Sequence, residues 1–559
     1  MEKEIRLTAR PLEWFLFLSP FLGGGFFEWT SCLFAVFLAG YLLYCRRKRG
    51  ALLIVCSPVL FLAASLAACY GIGSFWAVDR GMALLGFCKF LPLPLFVLVV
   101  MQIEKGEREK LLDTVPVSGG VMTVLSFGLR QLFPVLWDRF YVGDRLAGFF
   151  QYPNTFALFL LVGIILLAGK ERWSGIRFLN LAVLVAGIAL SGSRTVFFLL
   201  GIVAIVFCFV LKGKVRWALC LGLAALVGAT VFYVALTGKI PAMGRYLTAS
   251  LHSSTFLGRM LYAKDALPVI ARTPFGLGYM GYFYTQGSFQ TGVYSVLNVH
   301  NELLQLFLDV GWIPAVVAVV ILCRSFIRQE TWNGRLLLAV LAAHSMLDFD
   351  LQFVCIWFVL FLIMKVEGGQ VWTYRGRIFV WAGSVVVMGF CLWLGIGSYL
   401  YRSGRIEEAV KVYPGCTGAW ISMLAQTEDV EEMERIADEI LSRNQSVSIA
   451  HSAKARAAYA RGDFETVISC KQRAISLARY ELDEYLDYFQ MLYVGFQMYL
   501  AGGDLDSARV CRQKLSEIPD MLEEALERTD GLNALAWKIR DKPELVLPKE
   551  YQEILDSLQ

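Results

Sequence analysis

Runs of about twenty mainly apolar residues recur along the first 400 residues of this 559-residue chain, and they constrain its fold more than any other feature. A helix of that length crosses the hydrocarbon core of a bilayer. Of all residues, 57% are hydrophobic and only 18% are charged. This composition excludes a water-soluble globular enzyme, and the 14% of aromatic residues excludes a disordered chain.

The apolar runs predict an all-α polytopic transmembrane helix bundle with about 12–14 spans. We expect thirteen spans, at residues 12–27, 29–45, 51–70, 82–101, 114–133, 152–169, 177–192, 195–211, 217–237, 303–323, 335–349, 351–365 and 378–399.

The distribution of charge divides the chain into two domains. Residues 401–559 hold 19 Lys+Arg and 28 Asp+Glu, whereas the first 400 residues hold 33 and 19. We therefore expect a basic membrane domain over residues 1–399, with a long outer loop at about 238–302, and an acidic α-helical soluble domain over residues 400–559. The overall charge of +5 gives no indication of nucleic-acid binding.

The positions of the basic residues predict the orientation. Lys and Arg concentrate in alternate short connections, such as Arg46–Arg49 and Lys212–Arg216, and the connections that carry this excess face the cytoplasm. This pattern predicts a cytoplasmic N-terminus. An odd number of spans then predicts an extracytoplasmic C-terminal domain.

The C-terminal domain contains three similar phrases: SGRIEEAVKVYP from Ser403, AAYARGDFETVISCKQRAISLAR from Ala457 and YLAGGDLDSARVCRQKL from Tyr499. They resemble tetratricopeptide helix pairs, although their spacing departs from the usual period of about 34 residues. Such a repeat either stacks its own apolar faces as a scaffold or docks a partner. The sequence favours the scaffold.

Thirteen cysteines are present, but ten of them lie in or beside the apolar runs without CxxC spacing. We interpret these ten as small core residues. The three cysteines of the C-terminal domain show no zinc pattern either.

Several cations lie on the predicted outer side, although most Lys and Arg residues of the membrane domain lie on the predicted cytoplasmic side. Arg194 closes the short connection Ser191–Arg194, and Lys89 lies about two turns into a span. The others are Arg80, Arg145, Arg245, Arg259 and Arg272. Each one alone is explained equally well as an interfacial anchor. Together they indicate an outward-facing site for a pyrophosphate, because the guanidinium fork matches phosphate oxygens.

His300 precedes an apolar helix and is followed by Asn301 and Glu302, so its imidazole is a candidate general base. We interpret His252 and His344 as structural.

The outer junction Asp348–Asp350 could hold a divalent cation with pyrophosphate. A structural pair of His344 and Asp348, four residues apart on one helix face, is the favoured alternative.

The order of these motifs, and their common location on the predicted outer side, resemble those of the bacterial O-antigen ligase and O-antigen polymerase membrane proteins over roughly residues 50–366. The resemblance rests on SFWAVDR (Ser74–Arg80), RLAGFFQYPNTFA (Arg145–Ala157), SGSRTVFFLL (Ser191–Leu200), GRMLYAKDALPVIARTPFGLGYM (Gly258–Met280) and VHNELLQLFLDVGW (Val299–Trp312). The C-terminal domain is not part of that family's core pattern.

The resemblance implies an inverting, metal-independent glycosyltransferase of the integral-membrane type in the bacterial plasma membrane, without a cofactor. It would transfer or polymerise undecaprenyl-diphosphate-linked glycans onto a glycan, lipid or protein acceptor, in cell-surface polysaccharide biosynthesis. By motif, His300 would be the base and Arg194 and Arg259 the diphosphate ligands. Arg145, Arg80 and Lys89 would be supporting cations, and Asn154 and Asn301 positioning residues.

Two other functions fit parts of the sequence. A transporter or flippase would use the same arginines to line a path for an anionic lipid, but it predicts more charges at mid-membrane and an internal repeat. A non-enzymatic scaffold would recruit envelope-assembly partners through the C-terminal domain.

Overall fold

A computed structural model of the protein describes residues 8–133, 135, 137–170, 174–211, 216, 254–529 and 545–558. The predicted span 217–237, Arg245 and His252 lie outside the described residues. The first part of the predicted outer loop lies outside them too.

The architecture is an all-α bundle with very little sheet, as expected. The helices of the first 400 residues are Arg10–Leu18, Glu28–Arg49, Pro58–Gly73, Arg80–Phe90, Pro92–Met101, Lys105–Leu111, Thr114–Leu132, Trp137–Phe140, Pro153–Ala168, Gly175–Ser191, Arg194–Val210, Ser254–Arg272, Gly281–Phe289, Glu302–Val310, Trp312–Arg328, Trp332–Ser345, Val354–Met364 and Arg377–Arg402.

Among the residues described, four helical segments are long and apolar enough to cross a membrane. They are Glu28–Arg49, Arg80–Met101, Lys105–Leu132 and Arg377–Arg402. Shorter apolar helices of 10–17 residues complete the bundle, and they include Pro58–Gly73, Pro153–Ala168, Gly175–Ser191, Arg194–Val210 and Val354–Met364.

The predicted span 12–27 is a short helix, Arg10–Leu18, followed by a 3-10 segment, Ser19–Gly25. Two further predicted spans are divided by contacts with distant parts of the chain. The predicted span 303–323 breaks at Gly311, whose φ of +84° disfavours any residue with a side chain and whose added Cβ would lie 2.3 Å from the carbonyl oxygen of Pro274. The predicted span 51–70 begins with a strand, Leu52–Val55, which pairs antiparallel with Val371–Tyr374. Both departures depend on contacts with distant parts of the chain, so an apolar run does not reveal them.

The connections expected on the cytoplasmic side contact one another. Nη2 of Arg46 donates to the carbonyl oxygen of Arg375 at 2.5 Å, and Lys105 and Arg108 lie 3.3 and 3.6 Å from Glu367. Lys170 pairs with Asp113. These basic connections therefore contact other connections of the bundle that are also expected on the cytoplasmic side.

The C-terminal domain is a run of helices in which sequence neighbours pack together. They are Ile406–Val412, Thr417–Leu424, Val430–Arg443, Ser448–Ala460, Phe464–Leu477, Leu482–Gly502, Leu505–Glu527 and Lys549–Leu558. The tetratricopeptide assignment and the two domain boundaries remain predictions.

The C-terminal domain docks on the face of the membrane domain that carries Asp79. Asn444 donates to Oδ2 of Asp79 at 3.1 Å, and the hydroxyl of Tyr413 donates to the carbonyl oxygen of Gly81 at 2.7 Å. A Cβ added at Gly81 would lie 2.0 Å from the carbonyl oxygen of Gly415. The contact is therefore closely fitted at the backbone level.

We expect Gly81→Ala to loosen this docking, because the added methyl group cannot fit unless backbone moves, at a cost of about 1–3 kcal/mol. Hydrogen exchange should become faster at the amides of residues 413–424. Gly128→Ala is the control, because a Cβ at Gly128 meets nothing within 4 Å. Equal exchange in both variants would contradict the fit.

Candidate functional site

The centre of the site is Asp348, whose side chain is 1% exposed. It lies in the connection between the helices Trp332–Ser345 and Val354–Met364. Its Oδ2 accepts from Nη2 of Arg259 at 2.9 Å, and its Oδ1 lies 3.3 Å from Nδ1 of His300. Two residues of the predicted site are thus joined by a carboxylate.

Tyr152 and Asn154 complete the shell around this carboxylate. The hydroxyl of Tyr152 donates to Oδ1 of Asp348 and the amide of Asn154 donates to Oδ2, both at 2.7 Å. Nη2 of Arg145 then donates to Oδ1 of Asn154 at 2.5 Å, and its Nε donates to the carbonyl oxygen of Ser191 at 2.9 Å. The predicted residues Arg145 and Asn154 therefore belong to the same cluster as Arg259 and His300.

His300 has a φ of +55°, which is uncommon for a residue with a side chain and is found at functional sites. Its ring lies edge-on to Phe349, with centroids 4.9 Å apart. Asn301, the next residue, caps the helix Glu302–Val310 by accepting from the amide of Leu304, and it donates to the carbonyl oxygen of Met346. Asn301 thus ties the His300 backbone to the Asp348 connection.

The charge state of Asp348 follows from its neighbours. Burial alone would raise the pKa of its carboxyl group. The hydrogen bond with His300 and the positive charge of Arg259 outweigh burial and hold that pKa below its usual value. An ionised Asp348 accepts a hydrogen bond from Nδ1–H of His300, and in that tautomer Nε2 is the basic nitrogen of the ring.

Arg259 keeps binding capacity beyond this ion pair. Its side chain is 15% exposed, and its buried Nε has no hydrogen-bond partner among the described residues. A buried donor without a partner is costly. Among the described residues, the Nε–H of Arg259 is therefore an unsatisfied donor.

Arg194 begins the helix Arg194–Val210, directly after the turn that Arg145 contacts. A Cβ at Gly192 would lie 3.3 Å from Cγ of Arg145, so the two arginines belong to neighbouring parts of one surface. The half-buried Arg194 forms no ion pair with any residue that the structure describes.

Lys89 and Arg80 lie apart from the Asp348 shell. Lys89 is 1% exposed and donates to the Tyr279 hydroxyl and to Oε1 of Gln352, both at 3.3 Å. The backbone N–H of Gln352 in turn donates to Oε1 of Glu302 at 3.1 Å, so Lys89 is connected to the His300 segment only indirectly. Arg80 is exposed at the start of its helix, beside the docked C-terminal domain.

The structure corrects the favoured pairing of His344 with Asp348. The helix ends at Ser345, so Asp348 does not share its face. The Nδ1 atom of His344 lies 2.5 Å from Asp350, which also accepts from the Thr155 hydroxyl at 2.7 Å. The carboxylates of Asp348 and Asp350 therefore form hydrogen bonds with different sets of residues.

The motifs of the sequence predict neither the central position of Asp348 nor a role for Tyr152. Each residue nevertheless lies beside a motif that the sequence singles out. Tyr152 precedes Asn154 in a motif already selected for Arg145, and Asp348 lies in the outer junction already considered for a metal.

An apolar cavity of about 470 Å³ begins beside this cluster. Its polar end holds Glu302, Ser345 and Met346, and its far end reaches Cys323 and Ile327. The wall between them is lined by Leu306, Ala318, Leu322, Leu338 and Ala342, among others. A long hydrocarbon chain fits such a cavity, with a polar headgroup at the end nearest His300.

The fold defines an integral-membrane, all-α protein. In its candidate site, arginines and an imidazole surround one buried carboxylate. The family model described as O-antigen ligase matches residues 179–319, which include Arg194, Arg259, His300 and Asn301. Over these residues the chain is similar to O-antigen ligases. This similarity supports glycan transfer in bacterial cell-surface polysaccharide biosynthesis, from a lipid-linked donor to an acceptor at a membrane.

A search among curated proteins found no match to this chain.

We expect Asp348→Ala to lower the free energy of unfolding by about 3–5 kcal/mol, because it leaves the largely buried Arg259 without its counter-ion. Thermal unfolding of the purified protein in detergent measures this loss. Glu408→Ala is the control, because it removes a solvent-exposed partner of Arg405 and should leave the unfolding temperature unchanged. Equal stability of the two variants would show that the carboxylate does not hold the cluster.

Proposed function

We propose that this protein transfers or polymerises undecaprenyl-diphosphate-linked glycans at the outer face of the bacterial plasma membrane, by an inverting and metal-independent reaction. The observation that carries the proposal is the convergence of Arg259, Asn154 and His300 on one buried carboxylate, Asp348. In this proposal the N-terminus is cytoplasmic and the C-terminal domain is extracytoplasmic.

The arginines would hold the diphosphate. Arg259 contributes its unpartnered Nε–H, and Arg194 contributes a guanidinium without an ion-pair partner among the described residues. Arg145, which donates to Asn154 and to the carbonyl oxygen of Ser191, adds a further positive charge. As the glycosidic bond breaks, negative charge grows on the departing diphosphate, and fixed donors stabilise that charge more than the ground state. A cationic set of this kind supplies the role that a divalent ion has in other glycosyltransferases.

His300 would act as the general base. Its Nε2 takes the proton of the acceptor hydroxyl while the hydroxyl oxygen attacks the anomeric carbon of the donor sugar. A new C–O bond forms on the face opposite the departing diphosphate, so the anomeric configuration inverts. The leaving group is undecaprenyl diphosphate, and Asp348 stabilises the imidazolium that forms.

The apolar cavity supports a polyprenyl donor. It begins beside Glu302 and Met346, close to His300, and extends along apolar side chains to Ile327. A prenyl chain in this cavity would place its diphosphate at the arginines. Lys89 and Arg80 have supporting roles in this proposal, Lys89 through Gln352 and Arg80 beside the C-terminal domain, and Asn301 positions the His300 backbone.

The acceptor is a glycan, a lipid or a protein. The C-terminal domain contacts the membrane domain beside Arg80, through the hydrogen bond between Asn444 and Asp79. In this proposal the acceptor would arrive at the same face. This position suits a role in receiving the acceptor or an envelope-assembly partner.

A lipid-linked glycan transporter or flippase is the second candidate function. It is favoured by one observation, the buried charged network in which the Tyr279 hydroxyl contacts both Lys89 and Glu28. A flippase moves the labelled lipid across proteoliposomes without a new glycosidic bond, whereas the proposed enzyme forms that bond.

We expect His300→Ala to lower glycan transfer by about 10²–10⁴-fold, since the general base is lost. Arg194→Ala should lower it by about 10²–10³-fold, as one donor to the leaving group is lost. Purified variants are incubated with an undecaprenyl-diphosphate glycan and an acceptor, and product chains are measured on gels. His451→Ala and Arg139→Ala, with side chains outside the cluster, are the matched controls. Full activity in His300→Ala or Arg194→Ala would remove the role assigned to that residue.

Ala342→Trp should raise the KM for the lipid-linked donor at least tenfold, because the indole fills the proposed prenyl cavity. A donor with a short prenyl chain should be affected much less. Ala64→Trp is the control, since Ala64 is an exposed helical alanine away from this cavity. An unchanged KM in Ala342→Trp would place the lipid chain elsewhere.

A further inference from the structure

Three cysteine thiols meet inside the membrane domain, and nothing in the proposed reaction uses them. Cys32, Cys88 and Cys391 come from the helices Glu28–Arg49, Arg80–Phe90 and Arg377–Arg402. Their Sγ atoms all lie within 4.8 Å of one another, and those of Cys88 and Cys391 are 4.0 Å apart. All three side chains are buried. We call these three residues the thiol cluster.

The spacing of the thiol cluster fits one metal ion. At a metal–sulfur distance of about 2.3 Å, three sulfurs in a trigonal plane lie about 4 Å apart. Each cysteine offers one sulfur, and no other His, Cys, Asp or Glu ligand joins the group in the described part of the chain. A set of sulfur ligands alone selects soft cations.

The backbone around the thiol cluster is held in place. A Cβ at Gly395 would lie 2.9 Å from Cβ of Cys32, so the helices Glu28–Arg49 and Arg377–Arg402 approach closely at this level. Cys88 and Cys391 are both 0% exposed, and Cys32 is 2% exposed. A rigid, dry set of three thiols is preorganised for an ion, because little movement is needed on binding.

We propose that the thiol cluster binds one soft monovalent cation of the Cu(I) class. Three sulfur ligands satisfy this ion, whereas structural zinc takes four ligands. Binding forms three Cu–S bonds and releases the three thiol protons to solvent, with no change of oxidation state. The bound ion would join three helices next to Lys89 and Glu28, and it would stabilise the fold rather than take part in glycan transfer.

The experiment uses the full-length protein, purified in detergent with a phosphine reductant and treated with a chelator. Cu(I) is then delivered from a chromophoric Cu(I) chelator, and the bound copper is counted. The wild type should take up one equivalent per chain, and its unfolding temperature should rise. Cys32→Ser, Cys88→Ser and Cys391→Ser should each weaken uptake by at least tenfold.

Cys355→Ser and Cys45→Ser are the matched controls, because both remove a buried thiol outside the thiol cluster. Both should bind copper as the wild type does. Equal loss in the controls, or no uptake by the wild type, would overturn the proposal.

X-ray absorption of the copper-loaded wild type gives a test that does not depend on the folding of any variant. The proposal requires about three sulfur neighbours around copper. One sulfur neighbour, or mainly nitrogen and oxygen neighbours, would overturn it.

Discussion

The site depends on one buried carboxylate. Asp348 accepts from Arg259, Tyr152 and Asn154 and contacts His300, and these partners come from separate parts of the chain. Transferring a charge out of water is unfavourable, and a buried charge is stable only when it is fully paired and hydrogen-bonded. The complete shell around Asp348 meets that condition, so the carboxylate stays ionised and fixes both a guanidinium and an imidazole.

This constraint links the membrane bundle to the outer segments. The helix Ser254–Arg272 carries Arg259 and packs against the helix Glu302–Val310, which follows His300. Because Asp348 contacts both residues, the helix Ser254–Arg272 keeps a defined position against the connection that carries Asp348. The same arrangement orients the ring, since Nδ1 faces the carboxylate. In the proposed reaction, Nε2 would take the acceptor proton.

Much of this organisation could be predicted from the sequence. Hydropathy gave the all-α membrane fold, and motif order selected Arg145, Asn154, Arg259 and His300, which the structure brings into one cluster. The centre of that cluster could not be predicted, because Asp348 and Arg259 are 89 residues apart and only folding brings them together. The break at Gly311 was missed for a similar reason, since the contact with Pro274 that requires a glycine is not visible in an apolar run. The thiol cluster could not be predicted either, because its cysteines come from three helices that are distant in sequence and only folding brings them together.

The most direct test of the account is a cryo-electron microscopy structure of the protein with undecaprenyl diphosphate bound. The account predicts that the diphosphate oxygens lie within about 3 Å of guanidinium nitrogens of Arg259 and Arg194. It also predicts that the prenyl chain occupies the cavity lined by Ala318 and Ala342. A diphosphate bound away from the Asp348 shell, or on the face that carries Arg46 and Arg375, would contradict it.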